Sequence, residues 1–537
     1  MNIIGVSGDC RHNSSVALIQ NGELVYAEAE ERISRIKGDG NFPTRALAEA
    51  IAQVGDKQCL LVGAGQPDNP DSRRFVNAMV HAAEQSSCKL HWVEHHQAHA
   101  RCAAYTMGGD DGAILTADGQ GDGTTMAYWQ LSDNQLKKIW SATLDDGSLG
   151  FFFAAITEYL GYKRLHDEGK ICALAASGSA NPQLNAIMES VIQLDRASDG
   201  SPCLRIDPES IGPWHANQPI IREAFACHLE VFKPADIALA AQLVVENILL
   251  SLLNLLRDQF SSDRLALAGG LFANVRINWR LSQLPWVKKV SVTPPMGDDG
   301  LAIGAAVETA LSLDQIISPS NMMYLGTNSG TIPKQLHPDF EQYSGLPEEI
   351  NQIVARLLAN GEVVVRSTGR GEFGPRALGN RSLLYRPNDL TAGNWLNGKL
   401  GRDSVMPFAP CVQSERINTV TPANPDTFDG LRHMTVAVPV TDAFRTRCPG
   451  VVHLDNTARV QAVYKDSSPQ LWQILEYYQR LTGLPALINT SLNRHREPIC
   501  RTLDDALDCA EKANFNFVLA GPNHLFYRKS RHPLEGL

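Results

Sequence analysis

"NIIGVSGDCRHNSSVALIQNGELVYAEA" (residues 2–29) predicts three short strands in succession. Two apolar runs flank the polar segment "DCRHNSS", and the Asn-Gly pair at 21–22 is a favoured hairpin turn before the third run. "GAILTADGQGDGTTMAYWQL" (112–131) repeats the order of strand, polar turn and strand. We interpret the two units as the two copies of a duplicated fold.

The remainder of the chain alternates β-like and α-like runs. "LALAGGLFANVRINWRL" (265–281) and "VSVTPPMGDDGLAIGAAVETAL" (290–311) each read as a strand, a glycine turn and a helix, which is typical of an α/β domain. Residues 312–346 show little periodicity and are interpreted as a connection. A second α/β unit begins at about 347, so we predict domains at 1–340 and 341–537.

Composition limits the class of protein. The chain has 537 residues, 44% hydrophobic and 20% charged, which is ordinary for a soluble protein too long for one core. The net charge of −10 argues against a nucleic acid as the main partner. None of the 11 cysteines forms a C-x-x-C pair, so we expect reduced thiols in a cytoplasmic protein rather than a disulfide framework.

No membrane attachment is predicted. The N-terminus lacks the basic and apolar segments of a signal peptide. The most apolar stretch (235–259) is interrupted by polar residues such as Asp236 and Glu246, which favours a core helix with one wet face over a membrane span.

A cluster of histidines follows a strand-like segment in "EHHQAHARCAAY" (94–105). If a helix opens near Glu94, then His95 and His99 lie one turn apart on the same face and can grip one cation. The pair is not a zincin motif, because His96 stands where that motif requires glutamate. Two histidines four residues apart can also be ordinary polar groups with satisfied hydrogen bonds.

Two aspartates at glycine turns strengthen the metal interpretation. Asp118 opens "DGQGDG", and Asp298 precedes the helix-like run "LAIGAAVETA". Two imidazoles with two carboxylates suit Fe(II), Mn(II) or Zn(II) better than Ca(II), which prefers oxygen ligands throughout.

Other residue patterns suggest phosphate chemistry. The turns "ADGQGDGTT" and "LAGGLFAN" expose backbone N–H groups to which a phosphate can come close, although tight hairpins need glycine anyway. "GRGEFGPRALGNRSLLYRP" (369–387) contains four arginines. Their guanidinium groups can either form bidentate hydrogen bonds to phosphate oxygens or form salt bridges to acids such as Glu372. "INTSLN" (488–493) ends a strand with polar side chains. His12, in the first hairpin turn, is either a general base or an exposed loop histidine.

Taken in order, these motifs resemble the O-carbamoyltransferase family of nodulation protein U, the cephalosporin hydroxymethyl carbamoyltransferases and nebramycin synthase. The matching segments run from residue 3 to about 500 and include "VEHHQAHA", "DGQGDG", "PPMGDDGLAIGAA", "GRGEFGPRALGNRSLL", "PFAP", "TARVQAV" and "LINTSLNRHREPI".

The resemblance implies both fold and activity. It implies a duplicated actin/Hsp70-like N-terminal domain and a YrdC-like α/β C-terminal domain. The C-terminal domain would make carbamoyl adenylate from carbamoyl phosphate and ATP. The N-terminal domain, holding a divalent metal (Fe(II) first, with Mn(II) or Zn(II) as alternatives), would transfer the carbamoyl group to a hydroxyl of a small molecule from a natural-product or sugar-containing class.

The resemblance also implies roles for individual residues. His12 would deprotonate the acceptor, and the metal ligands would be His95, His99, Asp118 and Asp298. In the N-terminal domain, the carbamoyl adenylate would be held by Lys37, Gly119, Gly121, Glu168, Lys170, Gly269, Gly270 and Asn274. In the C-terminal domain, ATP and carbamoyl phosphate would contact Arg370, Arg376, Arg381, Lys399, Arg402, Arg459, Gln461, Asn489 and Ser491.

The chain departs from the family pattern at three places. Gly38 replaces a histidine common between Lys37 and Asp39, and Asp122 replaces the glutamate of "DGxGE". The segment "GKLGRDSVM" (398–406) is one residue short, with Met406 at a position where arginine is common.

Three other functions remain open. A small-molecule kinase of the actin/Hsp70 superfamily would leave the arginine-rich C-terminal unit unexplained. A threonylcarbamoyl transferase acting on tRNA is disfavoured by the acidic balance of the chain. A nucleotide-switched binding protein would have no use for His12. The sequence identifies neither the acceptor, whose pocket we expect near 180–235, nor whether the protein is a monomer or a homodimer.

Overall fold

A computed structural model describes residues 1–8, 13–55, 57–212, 220–318, 322–330, 332, 338–402, 407–424 and 427–534. The chain falls into two compact units. Unit 1 comprises Met1–Leu24 and Gly40–Pro319, and unit 2 comprises Val25–Asp39 and Ser320–Leu537. Residue contacts thus divide the chain at 319/320 and place a short N-terminal segment in the second unit, while the domain boundary at 340/341 stays a prediction.

Hydrogen bonds explain why Val25–Asp39 belongs to unit 2. The guanidinium of Arg35 donates to the carbonyls of Pro498 and Ile499, at 3.0 and 2.7 Å. Arg32, which is buried, donates to the carbonyl of Gly374 at 2.8 Å. These bonds join residues far apart in sequence, and composition cannot reveal them.

The elements of the first 319 residues begin with the predicted strand triplet. The strands are β1 Asn2–Ser7, β2 Ser15–Gln20, β3 Glu23–Ala29, β4 Cys59–Ala64, β5 Lys89–Val93, β6 Gly112–Gly121, β7 Thr124–Ser132, β8 Gln135–Thr143, β9 Ile192–Arg196, β10 Pro202–Ile206, β11 Ile211–Gly212, β12 Ile220–Ile221, β13 Arg264–Ala268 and β14 Lys289–Val292. The helices are α1 Glu30–Ser34, α2 Thr44–Val54, α3 Arg73–Gln85, α4 His95–Thr106, α5 Leu149–Tyr159, α6 Glu168–Ala175, α7 Pro182–Val191, α8 Glu223–Leu229, α9 Pro234–Leu256, α10 Val275–Ser282 and α11 Leu301–Ser312.

Two five-stranded sheets share one topology. The first has the order β3-β2-β1-β4-β5, with β1 antiparallel to β2 and parallel to β4, and β4 parallel to β5. The second has the equivalent order β8-β7-β6-β13-β14, with β6 antiparallel to β7 and parallel to β13, and β13 parallel to β14. The predicted duplication is therefore present as two sheets of equivalent strand order, and its assignment to an actin/Hsp70-like domain stays a prediction.

Helix α11 lies unusually close to two other elements of unit 1. A Cβ added to Gly5 in β1 would lie 1.9 Å from the carbonyl oxygen of Ala302, and one added to Gly304 would lie 1.8 Å from that of Ala98 in α4. Both distances are far below van der Waals contact, so only glycine fits at either position. This close packing fixes the position of α4 relative to the first sheet.

Helix α9 is the predicted core helix. It is long and apolar enough to cross a membrane by length and composition, but 67% of its most apolar window is buried within the structure. It packs against α6, α7 and α10 in unit 1.

One pair of cysteines corrects the prediction of reduced thiols throughout. Cys59 and Cys88 form a disulfide, with their Cα atoms 5.4 Å apart. They lie at the starts of the adjacent parallel strands β4 and β5, where Leu60 pairs with Lys89. The spacing of cysteines along the sequence does not reveal which strands are neighbours, so the pair escaped the sequence analysis. Eight other cysteines are free thiols, and Cys10 lies outside the described residues.

Unit 2 is built on one mixed eight-stranded sheet, with the order β15-β24-β23-β16-β17-β22-β18-β21. The strands of the unit are β15 Phe340–Ser344, β16 Val364–Ser367, β17 Arg381–Tyr385, β18 Ala409–Gln413, β19 Val438–Pro439, β20 Thr457–Ala458, β21 Gln461–Val463, β22 Ala486–Ser491, β23 Phe517–Ala520 and β24 His524–Arg528. Strands β19 and β20 pair as a separate two-stranded sheet. The helices of the unit are α12 Pro347–Ala359, α13 Ala392–Leu400, α14 Gly430–His433, α15 Asp442–Arg447, α16 Pro469–Thr482 and α17 Leu503–Lys512. Helices α12 and α16 pack together over an apolar cluster that the sheet shares.

We predict that Gly304→Ala destabilises unit 1 by about 1–3 kcal/mol, because the new methyl group meets a backbone oxygen that cannot rotate away. The clash outweighs the gain of up to about 1 kcal/mol that alanine normally brings inside a helix. Thermal unfolding and hydrogen exchange in α4 measure the effect. Gly398→Ala, inside α13 with no atom within 4 Å of the new Cβ, is the matched control and should lose no stability. Equal melting of Gly304→Ala and the unaltered protein would contradict the close packing.

Candidate functional site

The histidine cluster lies at the start of helix α4, where the sequence predicts it. Strand β5 ends at Val93, and the Glu94 carboxylate caps the helix by accepting from the backbone N–H groups of His96 and Gln97, at 3.2 and 2.8 Å. His95 is the first helical residue. The spacing of four brings His95 and His99 onto one face, with ring centroids 4.8 Å apart.

Asp118 and Asp298 join the two histidines from other elements. Asp118 lies where the pairing of β6 with β7 is interrupted, between Ala117 and Gly121, an irregularity that can redirect a side chain. Asp298 begins the short 3-10 turn Asp298–Gly300 before α11. The predicted set of four residues is therefore assembled from three separate segments of unit 1.

The distances within the set suit one cation. Nε2 of His99 lies 3.2 Å from Asp118 Oδ2 and 3.6 Å from Asp298 Oδ1, and Nε2 of His95 lies 3.9 and 3.8 Å from the same atoms. One donor atom from each of the four residues lies within 4.8 Å of every other. Donors that share an ion at about 2.1 Å lie roughly 3.0–4.2 Å apart, so this spacing is close to that of a ligand set.

The donor chemistry also fits. Nε2 of His95 is buried and makes no hydrogen bond to the described residues, which is costly unless a further partner occupies the space. Two imidazole nitrogens and two carboxylates match Fe(II), Mn(II) or Zn(II). His95, His99, Asp118 and Asp298 could thus hold a divalent ion.

The charges of the histidines and aspartates in this cluster affect one another's pKa values. Burial alone would lower the pKa of His95, but its neighbours Asp118, Asp298 and Asp122 raise it to about 9. Burial alone would raise the pKa of Asp118, yet the nearby imidazoles of His95 and His99 hold it well below its usual range. The Asp118 carboxylate therefore stays ionised, as a metal ligand must.

The glycines of the turns make room for the ligands. Gly119 and Gly270 donate their backbone N–H groups to the Asp118 carboxylate, at 2.7 and 3.2 Å. A Cβ at Gly121 would lie 2.1 Å from the His95 ring, and one at Gly269 would lie 2.1 Å from the carbonyl oxygen of Ala117. In this structure, then, these glycines serve the four-residue cluster, while phosphate contact by the same glycines stays a prediction.

His96 plays a different part from its neighbours. It is fully buried, and its Nε2 donates to the carbonyl of Thr124 at 3.0 Å, so its Nδ1 accepts from the Thr116 hydroxyl at 2.8 Å. Burial and the nearby His95 and His99 keep its pKa well below the ordinary value, so the ring is neutral. His96 ties α4 to the second sheet instead of facing the ligand set.

Three other predicted residues of unit 1 have structural contacts. Asn274 caps α10 by accepting from the N–H groups of Arg276 and Ile277, both at 3.2 Å. The Lys170 amine lies 3.0 Å from Asp167, and Glu168 accepts from a backbone N–H in the preceding turn. Their proposed contacts with the adenylate stay predictions.

Two further predictions fall elsewhere. His12, the predicted base, lies outside the described residues. Lys37, assigned from the sequence to the N-terminal domain, belongs to the segment that forms part of unit 2, and its amine lies 3.1 Å from Glu31.

Unit 2 contains a cavity of about 220 Å³ with three arginines in its lining. Five of the nine residues predicted to contact ATP or carbamoyl phosphate line it: Arg376, Arg402, Arg459, Asn489 and Ser491. The lining includes no carboxylate among the residues described there. Such a surface favours an anion.

Arg402 is held in the cavity wall by several hydrogen bonds. It donates to the side chains of Thr490, Ser491 and Asn493, at 2.8–3.1 Å, and to two backbone carbonyls. Burial lowers its pKa to about 10, so it still carries its charge at neutral pH. All of its hydrogen-bond partners named here are neutral.

The other four predicted residues of unit 2 do not line this cavity. Arg370 donates to the carbonyls of Val25 and Gly326, and Arg381 is fully buried and donates to five carbonyls, including that of Thr368. The side-chain amide of Gln461 donates a hydrogen bond to the carbonyl of Leu378 and accepts one from Asn489, which lines the cavity. Lys399 lies at the end of α13. An arginine whose donors are used by backbone carbonyls organises the fold, and sequence alone does not separate it from one that faces a cavity.

The sequence did not predict some residues of both sites. Asn397, Phe408 and Met434 line the cavity of unit 2 from segments with no charge pattern. In unit 1, Glu94 and Asp122 hold the start of α4, and the signal for Glu94 was its position directly before the helix.

Comparisons with known proteins identify a family for this chain. Residues 72–307 match the family model "Carbamoyltransferase N-terminus", and residues 355–527 match "Carbamoyltransferase C-terminus". The chain is 27% identical to nodulation protein NolNO of Sinorhizobium fredii, over 97% of this chain and 80% of that protein. It is 34% identical to nodulation protein U of Azorhizobium caulinodans, over 43% of this chain and 40% of that one.

Similarity to solved structures is weaker. T. kodakarensis HypF aligns with a TM-score of 0.35 and 15% identity, over 59% of this chain and 48% of that one. At this TM-score the similarity carries no weight for fold or function.

We predict that the full chain binds a divalent ion and that His99→Ala or Asp118→Ala weakens binding by more than about 100-fold, since each change removes a ligand whereas even supporting residues cost 10–100-fold. Titration with Mn(II) or Zn(II), with metal content measured by mass spectrometry, checks this. His91→Ala, an exposed histidine on β5, is the control and should bind normally. If both ligand variants bound the metal as tightly as the unaltered protein, the assignment of these residues as metal ligands would be wrong.

Proposed function

Because this chain belongs to the carbamoyltransferase family, we propose that it carries out ATP-dependent O-carbamoylation in two half-reactions. Carbamoyl phosphate and ATP give carbamoyl adenylate in unit 2. A hydroxyl of a small-molecule acceptor then receives the carbamoyl group in unit 1. The observation that carries the proposal is the pairing of a four-residue His/Asp cluster in one unit with an arginine-lined cavity in the other.

The cavity of unit 2 supports the first half-reaction. Arg376, Arg402 and Arg459 place positive charge around it, and Asn489 and Ser491 add neutral hydrogen-bonding groups. ATP and carbamoyl phosphate both carry phosphate oxygens, which guanidinium groups bind in bidentate fashion. Carbamoyl phosphate first loses its phosphate to water, which leaves carbamate. A carbamate oxygen then bonds to the α-phosphorus of ATP, the bond from that phosphorus to the oxygen shared with the β-phosphate breaks, and diphosphate leaves. A YrdC-like fold for this unit is part of the proposal.

The His/Asp cluster of unit 1 supports the second half-reaction. A divalent ion bound there would supply Lewis-acid stabilisation to oxygen atoms of the adenylate. The chain itself contributes the fixed carboxylate of Asp118 and the two imidazoles that face it. The acceptor oxygen bonds to the carbamoyl carbon, the bond to the AMP phosphate breaks, and the hydroxyl proton passes to a base, for which His12 remains the prediction.

The nature of the acceptor and of the metal belongs to the same proposal. We infer a small hydroxylated molecule of natural-product or sugar-containing type, and Fe(II) as the ion, with Mn(II) and Zn(II) as alternatives. The enzyme would then act without nucleic acid or membrane. The kinase alternative predicts a phosphorylated acceptor and ADP instead of a carbamate and AMP.

We expect AMP and a carbamate ester to form only when carbamoyl phosphate, ATP, a divalent metal and a hydroxyl acceptor are all present. Mass spectrometry of the acceptor distinguishes a carbamoyl from a phosphoryl addition. Omission of each component in turn is the control. ADP together with a phosphorylated acceptor would establish the kinase in place of the carbamoyltransferase chemistry.

The two half-reactions should separate by mutation. The His95→Ala/His99→Ala double variant should retain release of diphosphate from ATP that depends on carbamoyl phosphate, and lose transfer by at least about a hundredfold. Arg376→Gln should lose both, because no adenylate forms. Arg356→Gln, an exposed arginine on α12, is the matched control and should keep both activities. Loss of diphosphate release in the double histidine variant would contradict the division of labour.

A further inference from the structure

Asp122 occupies the tight turn between β6 and β7. Gly121 pairs with Thr124 across the hairpin, which leaves Asp122 and Gly123 as the two central residues. Both have positive φ, 52° and 81°, as a type I′ turn requires. Aspartate tolerates this left-handed conformation better than most residues with a side chain, so the short acid that replaces the family's usual glutamate suits the turn.

The Asp122 carboxylate joins three segments of unit 1. One oxygen accepts from the backbone N–H of Gln66 at 3.1 Å and from the Asn69 side-chain amide at 3.2 Å. The other accepts from the backbone N–H of His95 at 3.0 Å. Gln66 and Asn69 follow strand β4, and His95 opens helix α4.

The bond to His95 completes the start of α4. The first N–H groups of a helix have no partner within it. The Glu94 carboxylate accepts those of His96 and Gln97, which leaves the N–H of His95 to Asp122. The backbone of the ligand histidine is thereby fixed to the hairpin whose first strand carries Asp118.

The next residue along the hairpin acts on the same imidazole. Gly121 lies directly against the His95 ring, so that even a Cβ there would overlap it. Gly121 therefore packs against the imidazole ring of His95, and Asp122 accepts a hydrogen bond from the backbone N–H of the same residue. Both contacts act on the residue whose Nε2 lies 3.9 Å from Asp118 Oδ2.

We propose that Asp122 is a positioning residue for the metal centre: by holding the His95 backbone it sets the spacing between His95 and Asp118, and with it metal affinity and coordination geometry. The inference rests on the metal centre of the proposed function. Groups that orient a metal ligand typically contribute 10–100-fold to affinity. An amide in place of this carboxylate offers one acceptor oxygen to three donors and cannot hold all of them.

The test uses the full chain and Co(II), which takes nitrogen and oxygen ligands and reports their geometry through its visible absorption. Asp122→Asn should bind Co(II) 10–100-fold more weakly than the unaltered protein and with a shifted absorption spectrum. Asp122→Glu, which keeps the carboxylate, should bind more tightly than Asp122→Asn. Hydrogen exchange at the start of α4 should rise in Asp122→Asn.

Asp146→Asn is the matched control. Asp146 also holds a turn beside the second sheet, accepting from the backbone N–H and the hydroxyl of Thr143, both at 2.8 Å. It should bind Co(II) as the unaltered protein does. Equal losses in Asp146→Asn and Asp122→Asn would reduce Asp122 to a general turn residue and overturn the proposal.

Three more outcomes would overturn it. Unchanged Co(II) affinity and spectrum in Asp122→Asn, with the unaltered protein binding normally, would refute the positioning role alone. Equal binding by Asp122→Glu and Asp122→Asn would show that the carboxylate is not the acting group. Absence of Co(II) binding in the unaltered protein would instead refute the metal centre, and the positioning role with it.

Discussion

The hydrogen bond between His99 and the Asp118 carboxylate, 3.2 Å long, is the interaction around which the candidate metal centre of unit 1 is built. It joins helix α4 to the second sheet, and His95 and Asp298 complete the cluster around it. Placing two carboxylates and two imidazoles together inside a protein costs solvation free energy, and buried ion pairs seldom repay that cost in stability. Such a cluster is therefore better explained by the ion it can hold than by the fold it supports.

The surrounding structure is organised to keep this cluster in place. Helix α11 approaches α4 and β1 so closely that Gly5 and Gly304 cannot carry side chains. Asp298 lies in the 3-10 turn immediately before the same helix, so the packing that locates α11 also locates the fourth ligand. Backbone N–H groups of Gly119 and Gly270 hold Asp118 from two directions. Rigid packing of this kind keeps ligands at fixed separations, which metal sites require.

Sequence reasoning succeeded where the signal was local and failed where it was distant. The first hairpin, its repeat at 112–131 and the helix that opens after Glu94 all follow from turn residues and periodicity, and the structure confirms them. The docking of Val25–Asp39 into unit 2 and the Cys59–Cys88 bond depend on which strands and loops become neighbours, and no local pattern encodes that. The arginine-rich motif contains a prediction of each kind. Arg376 lines the cavity as predicted, whereas Arg381, five residues later, donates its hydrogen bonds to backbone carbonyls.

The central claim is that His95, His99, Asp118 and Asp298 hold the ion that serves carbamoyl transfer. An anomalous difference map from crystals of the full chain grown with Mn(II) or Fe(II), recorded at the metal absorption edge, tests it most directly. The account predicts one strong peak about 2.0–2.2 Å from a donor atom of each of the four residues. A peak at other side chains, with none between these four, would contradict it.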